Sequence, residues 1–170
     1  MLNRRVETNN PFVSSPLWRG CGGDVADLAD VDLYGGLDLS AVADLTALVL
    51  IGKVSRVWHV APTFWLPEEG PGFTEHLIDE VFVEVGQGTQ SMTPALRDLE
   101  QAVLQRELRH GNHPVLTMCA AQAIVEGTDS ARKLSKARSI GRIDGMVALA
   151  MAFSVAPLSA PVIDVNALIG

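Results

Sequence analysis

From Tyr34 onward apolar runs alternate with tight breaks, and their period is first that of strands and only later that of helices. Tyr34–Leu39 is a short apolar run around Gly35-Gly36, Leu45–Ile51 is continuous and rich in β-formers, and Arg56–Phe64 alternates around Pro62. Three short strands with tight turns, Gly52-Lys53 in the second, predict an antiparallel meander. The segment Leu66–Gly72 breaks the pattern; Thr74–Glu80 then reads as a short helix and Val81–Val85 as another strand. Thr93-Pro94 predicts a helix start, an N-cap followed by proline at the first position. Leu96, Leu99, Val103 and Leu104 carry that helix to about Leu108, and Gly111 stops it. Val115–Val125 fits strand or helix equally, residues 126–142 read as a polar loop, and a last helix is expected over Gly141–Val155, ended by Pro157. Strands followed by a mixture of strand and helix predict an α/β or α+β layout.

The first 33 residues have a different texture, with Asn9-Asn10-Pro11, Ser14-Ser15-Pro16, Gly20, Gly22-Gly23 and an Asp-rich run from Asp24 to Asp32. They read as a connector that packs on a domain. The expected division is a connector at 1–33, a domain at 34–156 and a tail at 157–170. With 170 residues, 48% of them hydrophobic and 19% charged, the chain is long and apolar enough to fold around one core. A net charge of −7 argues against a general nucleic-acid coat protein but leaves room for a site built from carboxylates and cations. Cys21 and Cys119 form no ligand pattern and read as reduced structural thiols. The N-terminus lacks the apolar stretch of a signal peptide, and no apolar run is long enough for a bilayer, so a cytoplasmic location off the membrane is expected.

Two carboxylates stand out. Asp38 interrupts an apolar strand, where aspartate is disfavoured and an unpaired buried charge costs several kcal/mol. It reads either as a strand-end residue capping the next turn through Ser40 or as a ligand. Asp144 falls within the helical stripe Ile140, Ile143, Val147 and Met151. It reads either as a first-turn acid favoured by the helix dipole or as a core-facing carboxylate that needs a cation, such as a metal shared with Asp38. His59, His76, His110 and His113 have no ligand spacing and read as surface or loop residues; Trp18, Trp58 and Trp65 read as core. Gly86-Gln87-Gly88 lacks the Lys-Ser/Thr of a phosphate-binding loop. Arg132, Lys133, Lys136, Arg138 and Arg142 form a basic segment that contacts a DNA backbone only if it overhangs a site.

Tyr34-Gly35-Gly36-Leu37-Asp38-Leu39-Ser40 with Asp44-Leu45-Thr46-Ala47 resembles the opening of the nuclease domain of bacteriophage terminase large subunits. Phe64-Trp65-Leu66-Pro67-Glu68-Glu69, Val85-Gly86-Gln87-Gly88, Ser91-Met92-Thr93-Pro94-Ala95-Leu96 and Leu108-Arg109-His110-Gly111 resemble its next blocks. Gly141-Arg142-Ile143-Asp144-Gly145-Met146-Val147-Ala148-Leu149 resembles its last helix, and Leu2-Asn3-Arg4 with Trp18 its connector from the ATPase domain.

The resemblance implies an RNase H-like fold, a mixed sheet flanked by helices, in which acidic residues hold two divalent ions, Mg²⁺ or Mn²⁺, for hydrolysis of a DNA phosphodiester. By motif, Asp38 is the first-strand metal ligand and Asp144 the last-helix ligand. Implied partners are double-stranded DNA, the portal protein and the small terminase subunit. The chain has no Walker-type loop, so an ATPase is not expected within it. It also departs from the family between the FWLPEE and GQG blocks, where a further strand with another catalytic aspartate is expected and Thr74–Glu80 follows almost at once. Glu75 or Asp79 are the candidates to substitute. Two functions follow: a metal-dependent DNA endonuclease domain for phage DNA packaging, or an inactive prophage remnant or interaction module.

Overall fold

The computed structural model describes residues 11–39, 45–66 and 84–156. The meander is present as β1 (Leu33–Asp38), β2 (Thr46–Val54) and β3 (Val57–Trp65), antiparallel throughout. Gly52-Lys53 does not turn; β2 runs through it, and the reversal falls at Ser55-Arg56 with Ser55 at φ 58°. Gly52 is closely covered within the strand: a Cβ there would meet Leu28 and Val31, which precede β1, and Leu33, its first residue. A two-residue strand, β4 (Leu108–Arg109), adds to β3 in parallel, giving the order β1-β2-β3-β4.

Helix α1 (Ser15–Gly20) lies within the first 33 residues. Helix α2 (Thr89–Leu104) starts four residues before the expected Thr93 and contains Pro94. Pro94, sixth in the helix, has no N–H to give to the Gln90 carbonyl one turn back, and Thr93 Oγ1 donates to the Thr89 carbonyl at 2.6 Å beside it. The helix ends at Leu104, short of Leu108, because Arg106 takes φ 57° and Leu108 joins the sheet. The ambiguous stretch resolves into both forms: α3 (Pro114–Gln122) and then β5 (Val125–Thr128). The expected polar loop is largely a hairpin, β5 with β6 (Ala131–Leu134). The last helix, α4, is Asp144–Val155. The helix read at Thr74–Glu80 lies outside the described residues, as does most of the strand read at Val81–Val85, whose described end, Glu84 and Val85, is not in a strand.

α4 lies across β1 and β2, α2 and α3 pack on α4, and the β5–β6 hairpin packs on α2. Ala47, Val49 and Ile51, alternate residues of β2, are fully buried, as are Leu96, Leu99, Leu116, Met146 and Leu149 from the helices. α4 is buried on all sides from Asp144 to Phe153, so the stripe read from periodicity understates its burial. Ile140, expected in that stripe, precedes the helix and is 80% exposed. Trp18 and Trp58 are buried and Trp65 is half-buried. His59 and His110, read as surface or loop residues, are buried instead, because residues 11–26 close over them. No helix among the described residues is long and apolar enough to cross a membrane.

Candidate functional site

Asp38 and Asp144 come together because two repeat lengths match. Gly36 and Asp38 are two apart on β1 and so share a face, about 6.7 Å apart along the strand. Asp144 and Ala148 are one helical turn apart on α4, about 6 Å along its axis. The backbone of Ala148 and Ala152 sits directly on Gly36, so closely that a Cβ there would collide with the Ala148 carbonyl. With Gly36 seated under Ala148, the next residue on the strand face lies beneath the first turn of the helix. Asp38 ends the strand, Asp144 begins the helix, and both are buried.

Between them lies a third side chain. Lys136 Nζ is 2.8 Å from Asp144 Oδ1 and 2.8 Å from Asp38 Oδ2. The first contact is a hydrogen bond and the second an ion pair of the same length, while Asp144 Oδ2 is buried with no hydrogen-bond partner among the described residues. Gln87 Nε2 donates to Asp38 Oδ1 at the long distance of 3.5 Å. Burial pushes the Asp38 carboxyl above its ordinary value and the charge of Asp144 adds to this, while Lys136 pulls in the other direction without cancelling it. Burial alone lowers the Lys136 ammonium, yet its two carboxylate partners outweigh it and the net direction is upward. Lys136 is held there by its own turn: Ser139 N–H donates to the Ser135 carbonyl at 3.1 Å, Ser135 N–H donates to Ile124 at 2.9 Å, and Ser139 Oγ accepts from Ile124 N–H at 3.3 Å.

The donors suit a hard divalent cation, since carboxylate oxygens are what Mg²⁺ and Mn²⁺ take. Among the described residues Asp144 Oδ2 is buried without a hydrogen-bond partner, and Asp38 Oδ2 is met by the Lys136 ammonium alone. Among the described residues no third acidic, histidine or cysteine side chain joins them. Glu75 and Asp79 lie outside the described residues. The need of Asp144 for a cation was legible in the sequence; that Lys136 meets it was not, because Lys136 sits in a segment that reads as loop. Of the other basic residues, Arg132 pairs with Glu100 at 2.6 Å and Lys133 with Glu126 at 3.2 Å. Arg138 and Arg142 lie on the exposed segment around Lys136. His113 caps α3 by accepting from Leu116 N–H at 3.4 Å, and His76 lies outside the described residues.

A mixed sheet flanked by helices, with an acidic pair where the first strand meets the last helix, defines the RNase H-like class of nuclease folds. The model of one family, the terminase large subunit endonuclease domain, matches residues 71–159, just over half of the chain, and the chain belongs to that family. The terminase large subunit of Enterobacteria phage HK97 is 35% identical over 218 aligned positions, covering 91% of this chain and 43% of the relative. The chain therefore spans less than half the length of that relative. Since 218 positions exceed the 170 residues here, the alignment also includes positions of the relative for which this chain has no residue. The crystal structure of the HK97 large terminase superimposes with a TM-score of 0.75 at 34% identity, over 86% of this chain and 44% of that one. The large terminase nuclease of thermophilic phage G20c, solved with bound magnesium, shares the fold with a TM-score of 0.55 at 12% identity, over 78% of this chain and 84% of that one.

Proposed function

We propose that the chain is a metal-dependent DNA endonuclease domain, with Asp38 and Asp144 as the side chains that hold a divalent cation, Mg²⁺ or Mn²⁺. The observation that carries this is the convergence of two buried carboxylates from separate elements onto one cation position, now filled by Lys136 Nζ at 2.8 Å from each. A bound divalent ion supplies charge neutralisation for the phosphodiester and for the oxygen that leaves it. The chain's own part is to aim both carboxylates at one point, with α4 fixed on Gly36 and the Asp38 carboxylate steadied by Gln87. Arg138, exposed on the segment that carries Lys136, is placed to meet a phosphate backbone, and Arg142 lies on the same exposed segment. Arg132 and Lys133, already paired with carboxylates, contribute less to that contact.

In this reading the substrate is double-stranded DNA and the work belongs to phage DNA packaging in the cytoplasm of the bacterial host. The portal protein and small terminase subunit are its partners, and residues 1–33 serve as the connector to an ATPase. The test is nicking of supercoiled plasmid with Mn²⁺, Mg²⁺ or EDTA, beside Asp144→Ala. Metal-dependent nicking that disappears in the variant is expected. A folded sample that leaves the plasmid intact under every condition overturns the reading.

A further inference from the structure

We propose that Lys136 is the resident counter-ion of the carboxylate pair and is expelled into solvent when a divalent cation takes its place, so that metal binding and the lysine are mutually exclusive. The proposal rests on Asp38 and Asp144 being the metal ligands and adds a competitor for them within the same chain.

The geometry makes the ammonium and an ion rivals. Lys136 Nζ stands 2.8 Å from an oxygen of each carboxylate, in the gap that an ion bridging the two would fill. Two cations within that gap would repel each other strongly. The carboxylates have nowhere to go: their side chains are 5% and 4% exposed, one on a sheet strand and one on a helix buried all round. Lys136 differs, since its side chain is 44% exposed and a lysine's long, flexible stem can carry its head into water. Of the three groups it is the one that can leave. Without it, two buried carboxylates would face each other with no countercharge, an arrangement that is strongly destabilising. The lysine thus holds the site together when no metal is present, and a metal must displace it, which lowers the apparent metal affinity by the fraction of time the lysine is out.

The experiment uses the full chain and three proteins: wild type, Lys136→Met and Asp144→Asn. Mn²⁺ binding is read from the electron paramagnetic resonance of the free ion, and melting temperature is read in EDTA. Lys136→Met is expected to melt several degrees lower in EDTA and to bind Mn²⁺ roughly tenfold more tightly. Lys136→Met binding Mn²⁺ no better than wild type overturns the proposal, because the ammonium and the ion would then not compete. Equal Mn²⁺ binding by wild type and Asp144→Asn sinks the ligand assignment itself, and the two failures are told apart by which variant is unchanged. Should Lys136→Met fail to fold, wild type alone still answers. Acetylation of the Lys136 amine, followed by mass spectrometry, should be slow in EDTA and fast with saturating Mg²⁺. Metal-independent labelling would count against expulsion.

Discussion

His59 and His110 show what single residues contribute to docking the N-terminal segment. His59 Nδ1 accepts from Ala26 N–H at 3.0 Å, and His110 Nε2 donates to the Trp18 carbonyl at 2.8 Å while its ring stacks on Trp18 at 4.1 Å. Burial lowers both histidines from the ordinary 6.5, with the charge of Arg109 adding to the effect on His59. Both are therefore mostly neutral in the native state at pH 7. Below pH 6.5 the unfolded chain binds the protons more readily, so the stability that both contribute above 6.5 is lost as pH falls through their lower native values. Asp38, raised by burial, pulls the opposite way. Comparison with His110→Phe, which keeps a stacking ring and cannot titrate, cancels that term. The variant should lose less melting temperature between pH 7 and pH 5 than wild type does, and parallel curves would show His110 does not titrate on unfolding.

At the scale of elements, the contact of α4 on β1 sets the site. Gly36→Ala puts a methyl group into the Ala148 carbonyl and must lift the helix or shift the strand. Overpacking of this kind costs about 1–3 kcal/mol. Because Asp38 and Asp144 sit on the two elements being separated, Mn²⁺ binding should weaken as well as melting temperature. A variant that melts lower yet binds Mn²⁺ as wild type would show that the helix rotates about its N-terminus and leaves the carboxylates in place. The β5–β6 hairpin is held to α2 by Arg132 N–H donating to Thr93 Oγ1 at 2.9 Å and by the Arg132–Glu100 pair, and it delivers the turn that carries Lys136.

For the whole molecule, residues 11–26 are integral to the folded unit. Phe12, Val13, Trp18 and Cys21 belong to the core cluster, and Phe12, Cys21 and Gly23 take part in backbone hydrogen bonds to Ala123, His110 and Gly111. Trp18→Ala should cost about 3–5 kcal/mol and lower a single cooperative transition in calorimetry; a separate early transition would mean that the segment undocks alone. The net charge of −7 bears on DNA binding by the same logic of the whole. An acidic protein with an acidic site should bind a DNA duplex weakly in EDTA and more tightly with Mg²⁺. Equal affinity in both conditions, measured at one ionic strength, would place the DNA contact away from the carboxylates.

Local patterns determined the meander, the last helix and the two carboxylates that stand where aspartate is out of place, because strand alternation and helical periodicity are written residue by residue. The ordered blocks that mark the family were legible for the same reason. What lay beyond the sequence depended on contacts between distant segments. Gly52 reads as a turn until Leu28, Val31 and Leu33 are known to lie against it. His59 and His110 read as surface until residues 18–26 cover them. Most of all, the partner of Asp38 and Asp144 is a lysine in a segment that reads as loop, and only the packing of α4 on Gly36 and the turn after β6 bring that charge between them.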